Sequence, residues 1–385
     1  MNFRNVFVGW LLVLGAAAVH GEAPSRAQAR AIGPGPVVVR TALGGFILGY
    51  DIDATGTLGI LSEALARADG RHDVAVETFD QRTGAIVKVL RQELDSKDAF
   101  ATLGVFGTAG GAGVGLTEYE HVTGLYVDRR QYGLTLPLSA GRLTGAWTPP
   151  FSAAEDIIGT GAGAYGSSQS VFLGFRNTAN DFSSYVFSSD VGANTFGPVI
   201  RVTDPVFGWN VSPVIALDPA RHRAVLGGSM GCFGCAPFLG LVDLQTGAQS
   251  TLPALGIGSV NGIAVDPTNG IVCTTTEDDF SVEFYDLVNG IQRQVTLPGA
   301  VSEVQSGSAV AVDPVHHLFL VGQEFSSTAP HGSSIQVFDE QGNFVESLNG
   351  FSLPASPAPM VLNPAKRAGF VIVTPDLTTL QSFRY

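Results

Sequence analysis

An all-β fold of repeated four-stranded units is predicted by three observations. An Asp-Pro or Asn-Pro pair stops an apolar run at a nearly fixed period. A second run, ending in an acid before a Gly-containing turn, follows later in each period. The last period lacks one strand, and the N-terminal region can supply it.

The clearest copy of the first marker is Val260-Asn261-Gly262-Ile263-Ala264-Val265-Asp266-Pro267. A short polar turn, Thr268-Asn269-Gly270, leads from it into Ile271-Val272-Cys273. The same grammar recurs at Asp218-Pro219, Asp313-Pro314 and Asn363-Pro364, spacings of 48, 47 and 50 residues counted from the Asp or Asn. A period of this length signals a repeat fold. Pro cannot donate to a strand ladder and so ends the strand, while the Asp side chain can accept from turn amides.

The second marker reads Phe79-Asp80 before Arg82-Thr83-Gly84, Val242-Asp243 before Gln245-Thr246-Gly247, Tyr285-Asp286 before Asn289-Gly290, and Phe338-Asp339 before Gln341-Gly342. Gly supplies the positive φ that tight hairpin turns need, so each unit is two hairpins. Weaker copies fall at Tyr126-Val127-Asp128 and Tyr185 to Asp190. The markers therefore lie at 80, 128, 190, 243, 286 and 339, with a seventh unit ending at Tyr385. That unit has three strands, Met360-Leu362, Phe370-Val373 and Leu380-Phe383, and Val37 to Leu43 is available as its fourth. Closing a ring of blades with an N-terminal strand removes the open edges of a β-propeller. The reading is a propeller of seven four-stranded blades spanning 33–385, with six or eight kept open because the second and third units are irregular.

These Asp-Pro hairpins resemble those of the broad superfamily of NHL, YVTN and gluconolactonase-like propellers, over nearly all of the chain after its first 30 or so residues. The resemblance implies architecture first, because such propellers serve both as enzymes and as binding scaffolds. It also implies a role for Asn261. In gluconolactonase-type propellers an Asn before Gly reaches into the central channel and holds a divalent cation, usually calcium. That family adds an acidic residue at the start of its first blade, where Gly44 to Gly49 has none here.

The chain opens with Arg4, then about 14 apolar residues from Val6 to Val19, then small residues near Gly21. This is the pattern of a signal peptide within residues 1–29, cleaved after Gly21 or Ala29, and it is shorter than the roughly 20 residues of a membrane span. The expectation is a secreted or periplasmic protein with no membrane insertion after cleavage. Acids outnumber bases 34 to 21, a net charge of −13 that repels polyphosphates and disfavours nucleic acid as a partner. Charged residues make up only 14% and glycines number 48, which suits many buried strands joined by tight turns.

Of the three cysteines, Cys232 and Cys235 are close enough in sequence to form a local disulfide in an oxidising compartment, and Cys273 reads as a buried core residue. Gly227-Gly228-Ser229-Met230-Gly231 matches the nucleophile-elbow pattern but lacks the strand-to-helix context that the chemistry requires. Gly161 to Gly166 matches a dinucleotide-binding pattern with no helix after it, and reads as a loop or flat inner strand. His222 and His317 each fall four residues after an Asp and read as solvated turn positions.

Two features carry chemistry. Asn261 with Glu277, Asp278 and Asp279 forms a candidate metal site, for calcium, and Glu324 and Asp376 extend the acidic residues along the same face. Loops joining second to third strands and loops entering first strands share that face, so these groups gather around one rim. The leading expectation is a non-catalytic scaffold whose loop-rich face binds a protein or glycan partner. The alternatives are a calcium-dependent lactonase-like hydrolase and an accessory subunit of a periplasmic redox enzyme.

Overall fold

A computed structural model describes residues 33–52, 57–68, 72–93, 102–108, 111–122, 125–137, 144–147, 157–165, 169–178, 181–190, 195–202, 214–229, 236–253, 258–276, 281–298, 307–323, 333–353, 360–373 and 377–385. Within them the chain begins with β1 (Gly33–Arg40). A first sheet follows: β2 (Phe46–Ile52), β3 (Leu58–Ala66), β4 (His72–Asp80) and β5 (Ile86–Glu93). The second holds β6 (Thr102–Thr108), β7 (Gly111–Val122), β8 (Leu125–Pro137) and β9 (Thr144–Trp147). The third holds β10 (Ile157–Tyr165), β11 (Gln169–Thr178), β12 (Asp181–Asp190) and β13 (Thr195–Val202). The fourth holds β14 (Val214–Asp218), β15 (Arg223–Ser229), β16 (Pro237–Asp243) and β17 (Gln249–Leu252). The fifth holds β18 (Val260–Asp266), β19 (Ile271–Thr276), β20 (Ser281–Asp286) and β21 (Ile291–Thr296). The sixth holds β22 (Gly307–Asp313), β23 (Leu318–Gln323), β24 (Ser333–Asp339) and β25 (Phe344–Phe351). The seventh holds β26 (Met360–Asn363), β27 (Ala368–Val373) and β28 (Thr379–Arg384), and its fourth strand is β1.

Each sheet is antiparallel in simple up-and-down order. The first strands adjoin one another in the sequence β2, β6, β10, β14, β18, β22, β26, and β26 in turn adjoins β2, so the sheets close into a ring. β1 pairs with β28 from Gly33 opposite Arg384 to Arg40 opposite Thr379, which joins the two ends of the described chain in one sheet. Thr41 to Leu43, expected as part of that strand, instead form the connection to β2.

The turns form for the reasons their sequences give. At the Asp-Pro turns the Asp side chain accepts from the amide of Arg221 (to Asp218, 3.3 Å), Thr268 (to Asp266, 2.8 Å) and His316 (to Asp313, 3.0 Å), and Asn363 accepts from Lys366 at 3.3 Å. The residue four places on is left-handed in each: His222 at φ 52°, Gly270 at 73°, His317 at 54° and Arg367 at 48°. At the second kind of turn Asp80, Asp243 and Asp286 accept from the amides two and three residues on. The Thr83 amide on Asp80 and the Thr246 amide on Asp243 hold these carboxyls below their usual range.

The core lies between neighbouring sheets. Phe284 of the fifth packs edge-on against Phe319 and Phe338 of the sixth, at 5.6 and 6.0 Å between ring centroids. Phe79 of the first meets Phe370 of the seventh at 5.4 Å. Cys273 is fully buried in the core between the fifth and sixth sheets as a free thiol, and burial raises its pKa well above the usual value. One marker is displaced. Asp128 lies near the start of β8 rather than at its end, because that strand runs on to Pro137. Gly161 to Tyr165 belong to the first strand of the third sheet.

Candidate functional site

Antiparallel order sends the connections of every sheet alternately to two ends. From the fourth sheet onward, the turns after first strands (219–222, 267–270, 314–317, 364–367) are four residues long, and those after third strands four or five. The opposite end carries the connections after second strands and between sheets, which from 203–213 (eleven residues) onward are never shorter than four (277–280), whereas those after the second strands of the second and third sheets are only two (123–124 and 179–180). From the fourth sheet onward, therefore, one end has turns of four or five residues and the other mostly longer connections.

Asn261 lies at the loop end of β18, inside the strand rather than in a turn. The register of β18 against β19 slips between Val260 and Gly262, so Asn261 is a bulged residue with no partner across the ladder. First strands repeat this device: the pairing slips at Leu48, Gly104, Thr160 and Ser308 as well. A bulge bends its strand and re-aims a side chain, and bulges concentrate at rims and functional sites. Asn261 is 7% exposed, and its Oδ1 has no hydrogen-bond partner among the described residues. The hydroxyls of Ser259, Thr274 and Thr275, on the same two strands and their entry, are buried in the same condition. An unsatisfied buried acceptor costs about 1 to 3 kcal/mol, and a ligand that bonds it recovers that energy.

Gly262 explains why the Asn is followed by Gly. A Cβ there would lie 2.7 Å from Thr275 Oγ1 and 2.9 Å from Val310 Cγ2 on the next first strand. Glu277, Asp278, Asp279, Glu324 and Asp376, and the Cys232–Cys235 pair, lie outside the described residues.

The turn end holds what the sequence reading missed. The carboxylates of Asp218, Asp266 and Asp313 are wholly buried, and each has a basic partner. Arg221 Nη1 bonds Asp218 Oδ2 at 3.1 Å and the Pro267 carbonyl of the next sheet at 3.1 Å. His317 Nδ1 lies 2.7 Å from Asp266 Oδ2, across the fifth and sixth sheets. His316 pairs with Asp313 at 2.7 Å, and the Tyr385 hydroxyl donates to Asp313 Oδ2 at 2.9 Å across the sixth and seventh. His317 is thus no merely solvated turn residue. The pairing joins residues 51 apart, and only the ring brings those turns together.

Closed ring, four-stranded sheets and up-and-down order define a β-propeller. Two solved structures resemble it over nearly their whole length. One is the crystal structure of the RRP9 WD40 repeats, at TM-score 0.60 and 11% identity, covering 92% of this chain and 98% of that one. The other is U3-55K, at TM-score 0.59 and 12% identity, covering 92% of this chain and 100% of that one. No family model and no curated protein sequence matches the chain.

Proposed function

We propose that the protein is a secreted or periplasmic interaction scaffold that captures a protein partner on its loop end. The observation that carries this is the asymmetry of the two ends. From the fourth sheet onward, turns tied by buried Asp residues hold one end, while mostly longer connections occupy the other, the arrangement on which recognition loops are commonly displayed. The likeness to WD40 propellers supports a protein partner. The acidic run Glu277-Asp278-Asp279, with Glu324 and Asp376, suits a partner with a basic surface. The net charge of −13 argues against a nucleic-acid partner, and the apolar run from Val6 to Val19, read as a signal peptide, supports an extracytoplasmic setting. Among the described residues no helix is long and apolar enough to cross a membrane.

A second reading is favoured by one observation, the unpartnered Oδ1 of Asn261. A calcium ion held there with rim carboxylates would fit the gluconolactonase-like resemblance and a lactonase-type hydrolysis, with the ion as Lewis acid. One experiment separates the two. Partner capture from the extracytoplasmic fraction is compared for the native protein and for D278A/D279A, with and without calcium. The scaffold predicts capture lost in the variant, with the melting temperature unchanged and no response to calcium. Undiminished capture by the variant rejects this placement of the site. A calcium-dependent rise in melting temperature with lactone turnover establishes the hydrolase instead.

A further inference from the structure

At the turn end, opposite the recognition loops, three elements of the fifth and sixth sheets converge on one point. Asp266 ends β18, His317 closes the turn between β22 and β23, and Glu340 opens the turn between β24 and β25. One ligand atom from each, two carboxylate oxygens and an imidazole nitrogen, lies within 4.8 Å of the others. His317 Nδ1 is 2.7 Å from Asp266 Oδ2 and 3.9 Å from Glu340 Oε2. The Asn269 side-chain amide closes the group, its Nδ2 2.5 Å from Glu340 Oε2 and 3.3 Å from His317 Nδ1.

We propose that Asp266, His317 and Glu340 bind a divalent transition-metal ion of the zinc type, which clasps the fifth and sixth sheets together.

Three physical points carry this. The first is convergence: His317 Nδ1, Asp266 Oδ2 and Glu340 Oε2 meet around one point, and the Asn269 amide beside them can turn its oxygen inward, since its two ends are nearly interchangeable in shape. The second point is charge. Asp266 is wholly buried and Glu340 partly so, and His317 is the group that pairs with both carboxylates.

The third point is spacing. Ligand bonds of about 2.0 to 2.1 Å to a tetrahedral ion put donors about 3.3 Å apart, and the observed 2.7 and 3.9 Å lie on either side of that value. One imidazole with two carboxylates suits zinc, whereas calcium wants six to eight oxygens. A fourth position is open to solvent: His317 is 38% exposed, and Asn269 and Glu340 also line an adjoining cavity of about 590 Å³. Asp266 is held for the task, its Oδ1 accepting from the Thr268 amide at 2.8 Å while Oδ2 faces the site.

The test uses untagged full-length protein, dialysed against chelator and titrated with Zn2+ in a calorimeter, with Co2+ as a spectroscopic probe of tetrahedral geometry. One equivalent of Zn2+ is expected at micromolar affinity or tighter, with intense visible Co2+ bands and a higher melting temperature. H317R is the informative variant. Arg367 occupies the same left-handed turn position in the seventh sheet, so an arginine fits there and can pair with Asp266, yet it cannot ligate. H317R and E340Q should each weaken Zn2+ binding by about a hundredfold or more, with the metal-free H317R melting as the native protein does. H316A, altering the neighbouring histidine that pairs with Asp313, should bind as the native protein does. Absence of stoichiometric Zn2+ in the native protein, or retention of it by H317R, overturns the proposal. So does loss of binding in C232S/C235S, which would assign the metal to the thiols.

Discussion

Tyr385, the last residue, shows how much one side chain of this fold contributes across sheets. Its hydroxyl donates to Asp313 Oδ2 at 2.9 Å, and the Arg367 guanidinium lies 5.7 Å from its ring centroid. Burial and the neighbouring Asp313 charge raise the phenol's pKa, so it stays a donor at any working pH. Y385F removes a hydrogen bond to a buried charge and nothing else. It should cost about 1.5 to 3 kcal/mol in urea unfolding, and a loss under about 0.5 kcal/mol would show that the His316 ring and the Val315 and His316 amides already satisfy Asp313. The sequence revealed half of this. Asp313-Pro314 was legible as a strand stop because the chemistry of that turn is local. Its partner Tyr385 was not, because 72 residues separate them and only ring geometry makes them neighbours. Asn261 divides in the same way: the Asn-Gly pair marks the position, but the bulge and the orphaned Oδ1 depend on how β18 registers against β19.

Among the elements, the connection from β1 to β2 carries a titratable latch. The Ala42 amide donates to both oxygens of Glu77, at 2.9 and 3.0 Å, and the Gly45 amide donates to Glu63 Oε2 at 2.7 Å. Both glutamates are wholly buried. Burial first, and then the hydrogen bond that the protonated carboxyl donates to neighbouring Glu63, push the Glu77 carboxyl up to about 8 from its ordinary 4.5. The folded pKa is therefore the higher one. The stability tied to the Glu77 proton is complete below 4.5, declines as the pH rises, and is gone above about 8. E77Q, which keeps an acceptor for Ala42 and never ionises, should flatten the pH dependence of the urea midpoint over that window and exceed the native protein at its alkaline end. Equal alkaline losses in both proteins would move the origin away from Glu77. Strand succession was legible in the seventh sheet, where Asn363-Pro364 and the apolar runs of β27 and β28 are strong local signals. It was poorer in the second, where β8 carries no Gly turn after Asp128 and runs on to Pro137.

For the whole molecule, the question is whether ring closure or the individual sheets hold the fold. Among the described strands, β1 alone enters its sheet from the far end of the chain. Its Val39 is wholly buried in the core shared by the first and seventh sheets, and the Val37 amide donates to Ser382 Oγ at 3.1 Å. Without β1, β28 would become a bare edge and that core would open to water. A chain starting at Thr41 should therefore lose more than the about 4 to 5 kcal/mol that bounds most single substitutions, and should aggregate through the exposed edge. Truncation alone would not distinguish closure from general damage, but the register offers a control. Gly33 lies opposite Arg384, so the start of β1 sits beside the end of β28. Moving residues 33–40 to follow Tyr385, through a four-residue turn like that at 287–290, turns the closing strand into an ordinary hairpin in the same register. That rearranged chain should melt within a few degrees of the native protein. Should it melt as low as the truncated one, the native connection through Thr41 to Gly45, with its two buried glutamates, would be what holds the ring, and the pairing of β1 with β28 would be secondary.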